Sequence, residues 1–151
     1  MLSRRGFVAG LAGMFIVGRR TGWAAAPPTA IIVYKSRSCG CCAKWIDHIR
    51  SQGFKAQVHD EENMDRLKDE LGVPQPVRSC HTAVVGGYLI EGHVPAADIR
   101  QLLSDRPKIG GLAVPGMPVG TPGMAESESA VGDFEVLAFQ SDGSTRTFAR
   151  H

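Results

Sequence analysis

"TAIIVYKSRSCGCCAKWIDHIRSQGF", Thr29 to Phe54, decides the fold. Its first part, Thr29 to Ser36, is a β-rich apolar run. Cys39, Cys41 and Cys42 follow within four positions. Cys42, Trp45, Ile46 and Ile49 then fall at i, i+3, i+4 and i+7, which is one face of a helix. Gly53 supplies the stop. A strand that enters a helix through a thiol-rich junction predicts an α/β sheet whose chemistry lies at the carboxyl end of a strand.

"FKAQVHD" alternates Phe54, Ala56 and Val58, the period of a half-buried strand. Asn63 suits an N-cap, and Met64, Leu67 and Leu71 mark a short helix ended by Gly72 and Pro74. "TAVVGGYLIEG" reads as two strands joined at Gly86-Gly87. "VPAADIRQLLSD" reads as a helix, with Pro95 near its first position and Ile99, Leu102 and Leu103 on one face. The order β-α-β-α-β-β-α predicts an α/β, thioredoxin-like core over 29–106, and the handedness rule for βαβ units leaves few alternatives. From 107 to 130 the pattern dissolves into "GGLAVPGMPVGTPGM", with no helix or strand period. This is expected to be a long Gly/Pro/Met loop. "DFEVLAFQ" and "STRTFAR", about Asp142-Gly143, predict a terminal β-hairpin over 131–151 that completes the same domain at the sheet edge.

The totals are those of one ordinary domain: 151 residues, 43% hydrophobic and 21% charged. A net charge of +2 gives no field that would favour nucleic acid or an anionic membrane. The beginning reads differently. "MLSRRGFVAGLAGMFIVG" pairs a positive start with an apolar run from Phe7 to Val17, too short for the ~20 residues of a comfortable span. "GWAAAPP" follows with small residues. Residues 1–26 are therefore expected to be an export signal. "SRRGFVAG" has the twin-arginine pattern in Ser3, Arg4, Arg5, Phe7 and Val8, and such export moves folded proteins. The mature chain is expected in the periplasm with no stable membrane span, in a compartment that oxidises thiols.

The fourth cysteine, Cys80, stands just before the strand "TAVV", where thioredoxin-like folds normally carry a cis-proline beside the first helix. All four cysteines are therefore expected to converge. At a helix start, unpaired amides and the dipole favour thiolate. Four readings compete. Cys39 and Cys42 form the C-x-x-C of a dithiol switch. Four cysteines suit zinc, although adjacent Cys41 and Cys42 fit one tetrahedral ion poorly. An iron–sulfur cluster needs spacings that C-x-C-C does not match. Thiolates and thioethers select Cu(I), and bridging sulfurs tolerate crowding. Met117 and Met124, each after Pro-Gly, tilt the balance towards copper, although methionine also fills gaps between a loop and a core. His81 and His93 are candidate ligands, or side chains just behind the ligands. Trp45 is expected in the core. His48, His59 and the run Asp60-Glu61-Glu62 are expected in solvent, and His151, a terminal residue, says nothing.

"YKSRSCGCCAKWIDHIRSQGF", "CHTAVVGGYLIEGHVPAADI" and "GLAVPGMPVGTPGM" together resemble the CopG-type periplasmic copper-resistance proteins, from about Ala30 to the C-terminus. The resemblance implies a thioredoxin-like fold and a cluster of more than one cuprous ion on Cys39, Cys41, Cys42 and Cys80. It also implies a role in periplasmic copper handling, with conversion between Cu(I) and Cu(II) as a further activity. Periplasmic copper efflux or carrier proteins become the expected partners. The rival expectation is a periplasmic thiol–disulfide oxidoreductase using Cys39 and Cys42.

Overall fold

The computed structural model describes residues 28–124 and 133–151. The expected export segment, 1–26, lies outside the described residues. The chain runs β1 (Ala30–Lys35), α1 (Gly40–Ser51), β2 (Lys55–Asp60), α2 (Met64–Leu71), a 3-10 turn (Gln75–Val77), β3 (His81–Val85), β4 (Tyr88–Glu91) and α3 (Ala96–Asp105). This is the expected α/β, thioredoxin-like order. Three further strands follow: β5 (Gly111–Ala113), β6 (Glu135–Phe139) and β7 (Thr145–Arg150). All seven described strands form one sheet in the order β2-β1-β3-β4-β5-β6-β7.

Local chemistry sets the element ends. In α1, Gly53 N–H donates to Arg50 O and Phe54 N–H to Ile49 O, the paired closure that a left-handed glycine permits. α2 opens on Asn63, whose side chain accepts from Arg66 N–H, and closes on left-handed Gly72. Gly86 and Gly87 both take positive φ, so β3 turns into β4 through a two-residue hairpin.

α1 buries Cys42, Trp45, Ile46 and Ile49, the face the spacing predicts. Trp45, Ile46 and Ile49 pack with Ile99 and Leu102 of α3 over Ile31, Val33, Ala83, Val85 and Ile90 of the sheet. Each such side chain contributes about 1.5–3 kcal/mol when taken from water. A smaller cluster contains Val73, Val77, Ala113 and Phe139, with Leu71 and Leu89 against it.

Two expectations change. The stretch expected as structureless loop contains β5, which pairs with β4 in parallel and with β6 in antiparallel. The terminal hairpin thus joins the sheet through β5. Three fully buried residues, Gly111, Leu112 and Ala113, leave no alternation to read. Gly111 is also required by proximity, because a Cβ there would stand 1.9 Å from Leu89 O. In α2, Met64, Leu67 and Leu71 are only half-buried, and the fully buried side chain is Lys68.

Candidate metal centre

Strand register brings the site together. Lys35 at the end of β1 lies opposite His81 at the start of β3, so Cys80 stands beside the chain that leads to Cys39. Thr82 pairs with Glu91, and Gly92 N–H donates to His81 O, which brings His93 to the same end. Glu91 also pairs with Ala113, so the loop after β5 leaves from this end too.

Cys39 is the N-cap residue of α1, without a side-chain capping bond, and Cys41 and Cys42 lie in the first turn. The sulfurs of Cys39, Cys41, Cys42 and Cys80 all lie within 4.8 Å of one another. Cys39 and Cys42 are closed as a disulfide, with Cα atoms 5.4 Å apart, and Cys41 and Cys80 are free. Cys41 Sγ lies 3.6 Å from Cys39 Sγ and 3.7 Å from Met117 Sδ. The structure thus brings together all four predicted cysteines and one of the two methionines. Met124 is half-buried; its N–H donates to Thr121 O, and its sulfur makes no hydrogen bond with a thiol among the described residues.

Cys80 also belongs to a second group, with His81 and His93, whose ligand atoms lie within 4.8 Å of one another. Cys80 Sγ is 3.3 Å from His81 Nδ1 and 3.3 Å from His93 Nε2. A carbonyl only accepts, so His93 Nδ1–H donates to Pro122 O at 2.6 Å. This leaves Nε2 bare towards Cys80 when the ring is neutral. Burial lowers the His93 pKa. Burial, then His93 and Lys68, hold His81 well below its ordinary value. Both rings are therefore neutral and able to donate a lone pair at neutral pH. His81 Nε2 is buried with no hydrogen-bond partner, and the His81 ring packs against Trp45 with centroids 4.3 Å apart. Burial, then the neighbouring Cys41 thiol, push Cys80 up to about 11. Its proton therefore stays on through the neutral range.

The segment after β5 straps across this end of the fold. His93 holds its Pro122 carbonyl, and Gly123 lies so close to α1 that a Cβ would meet Trp45 N at 2.7 Å. Between them Met117 is half-exposed above Cys41. Thioether, thiols and neutral imidazoles make a soft to borderline donor set, which suits copper better than a hard cation.

The prominent residues missed in the sequence are polar ones behind the sulfurs. Lys68, Glu91 and Thr82 are buried together. Lys68 Nζ donates to Thr82 Oγ1 at 2.8 Å and to Glu91, while Glu91 accepts from Thr82 Oγ1 and Ser79 N–H, each at 2.7 Å. Burial raises the Glu91 carboxyl, and Lys68 works against that rise. One signal was present. Lys68 occupies the i+4 place in the stripe Met64, Leu67, Leu71, where an apolar residue is expected. His48, expected in solvent, accepts from Ala96 N–H at the start of α3. His151 Nε2 is 2.8 Å from the buried Asp98 carboxylate.

Among the described residues, no helix is long and apolar enough to cross a membrane. Residues 77–124 match the family described as "Protein of unknown function, DUF411". No curated protein matches. Two solved structures, "Copper resistance protein copG- Form 1" and its Form 2, are each 44% identical to this chain. Each match has a TM-score of 0.75 and covers 82% of this chain and 98% of the other. Identity at that level over almost the whole length of those structures makes this chain a member of the CopG copper-resistance family.

Proposed function

We propose that this protein is an exported, periplasmic copper-binding protein that holds Cu(I) as cargo, more than one ion at a time, on the thiolates of Cys39, Cys41, Cys42 and Cys80. The observation that carries the reading is the convergence of four sulfurs from two distant segments within 4.8 Å. Two neighbours named copper resistance proteins support it. Bridging thiolates can share close cuprous ions where one tetrahedral ion would be strained. Met117 adds a thioether beside Cys41, and His93 and His81 offer imidazoles beside Cys80. The signal-like residues 1–26 support delivery to the periplasm, where efflux or carrier proteins would receive the metal. We further read 29–106 as the thioredoxin-like part of one domain that the C-terminal hairpin completes.

The Cys39–Cys42 disulfide adds redox capacity. Closing it from two thiols releases two electrons and two protons, enough to reduce two Cu(II) to two Cu(I). The test is an anaerobic Cu(I) titration of reduced protein against a chelator. Saturation above one ion, lowered by Cys41→Ser, is expected. Saturation at one ion or fewer, unaffected by that substitution, would sink the reading.

The same disulfide favours one rival, a thiol–disulfide oxidoreductase acting on proteins. That reading expects insulin reduction by the metal-free dithiol form, and it falls if no such activity is measured.

A further inference from the structure

We infer that Ser79 is a positioning residue: it ties the loop that carries Met117 to the strand entry that carries Cys80, and the buried Lys68–Glu91 pair holds it in place. Its effect on copper rests on the function proposed above, whereas the tie between the two segments does not.

Ser79 is anchored on both sides. Its N–H donates to Glu91 Oε1 at 2.7 Å, and its hydroxyl donates to Gly116 O at 2.6 Å. Its neighbour along the chain is Cys80, and the neighbour of Gly116 is Met117. One side chain thus joins the two segments whose sulfurs flank the site. The hydroxyl lies in a slot that only glycine leaves open. At Gly92, with φ +74°, a Cβ would meet Ser79 Oγ and Val114 O at 2.6 Å each.

The anchor beneath it is built from charge. Glu91 is fully buried and Lys68 nearly so, with Thr82 closing the group. A buried ion pair is a poor source of stability compared with apolar packing. Its advantage is a short, directional bond to a backbone amide. The ionised carboxylate accepts from three donors and fixes where the amide of Ser79 must point. The far end of the loop is fixed independently, through Pro122 O and Gly123. Removing the Ser79 hydroxyl should therefore free the Met117 half of the loop and leave the other half docked.

The experiment uses the full chain and Ser79→Ala, with Met117→Ala and the double variant beside it. In the reduced, metal-free protein, backbone order parameters at the Gly116, Met117 and Val119 amides should fall from about 0.85 towards about 0.6 in Ser79→Ala. Among the described residues, no other hydrogen bond holds the backbone at these three positions. Order parameters in α1 and β3 should stay as they were. With Cu(I), competition against a chelator should show about tenfold weaker retention in Ser79→Ala. The losses from Ser79→Ala and Met117→Ala should be less than additive, because the hydroxyl acts in part through that sulfur, while it also bonds the neighbouring Cys80 thiol. Unchanged order parameters at 116, 117 and 119 overturn the inference whatever the copper result. A looser loop with unaltered copper retention, or full additivity in the double variant, overturns the positioning role. A wild-type protein that retains no Cu(I) refutes the proposed function instead, and the order parameters still decide whether Ser79 ties the loops.

Discussion

Cys80 and His93 meet sulfur to nitrogen at 3.3 Å, and the far nitrogen of that imidazole is committed to Pro122 O. The thiol of Cys80 holds its proton up to about 11, first because it is buried and then because Cys41 is beside it. Copper bound at Cys80, as proposed, would have to displace that proton, so retention should strengthen as pH rises through the neutral range. For this ligand the gain is up to about tenfold per pH unit. Chelator competition at several pH values checks this, and Cys80→Ser should flatten the slope. The same shift has a consequence without metal. The unfolded chain gives up this proton near the ordinary value of 9.0, while the folded chain keeps it to about 11. The associated stability is present below pH 9 and is lost as pH rises towards 11. Denaturant titrations of wild type and Cys80→Ser across that window should diverge.

Cys41 stands outside the disulfide yet contacts both Cys39 and Met117. Cys41→Ser should lower the number of Cu(I) ions held while leaving the Cys39–Cys42 disulfide able to form. Metal counting on the loaded protein and thiol counting on the oxidised apoprotein are the two measurements. Equal copper content in the variant would contradict the multinuclear reading.

With Cys39 and Cys42 joined, two of the four thiols are withdrawn from any metal. Protein prepared without reductant should therefore show two free thiols and take up less Cu(I), and reduction should restore both. A thiol assay run in parallel with anaerobic loading tests this. Equal loading of the oxidised and reduced forms would mean that the disulfide pair plays no part in binding.

Lys68→Met leaves the fully buried Glu91 carboxylate without its cation. The cost should be about 3–5 kcal/mol in denaturant unfolding. Lys68→Met combined with Glu91→Leu should recover much of that loss, because an apolar pair replaces an ionic one at little penalty. A double variant no more stable than Lys68→Met alone would show that the charge pair is not what the single substitution breaks.

Periodicity carried the fold as far as α3. The face Cys42, Trp45, Ile46, Ile49 and the turn Gly86-Gly87 each follow from spacing within one segment. β5 was hidden because a three-residue strand with all residues buried has no period. The four thiols were legible as a group because the fold order puts both strand ends together. Lys68 and Glu91 were not, because a charged residue in sequence looks like a solvent-facing one until its partner across the fold is known. His151 is similar: nothing local announces that it meets Asp98 beneath the end of the hairpin.

The pairing of Lys35 with His81 also fixes an order of events. Cys39 and Cys80 are 41 positions apart in the chain, and nothing between them is a short chelating turn. An unfolded chain would present three crowded thiols and a distant fourth, with the imidazoles and thioether more remote still. The full set of donors comes together only after β1, β3, β4 and β5 have assembled, so the complete nest is a product of folding.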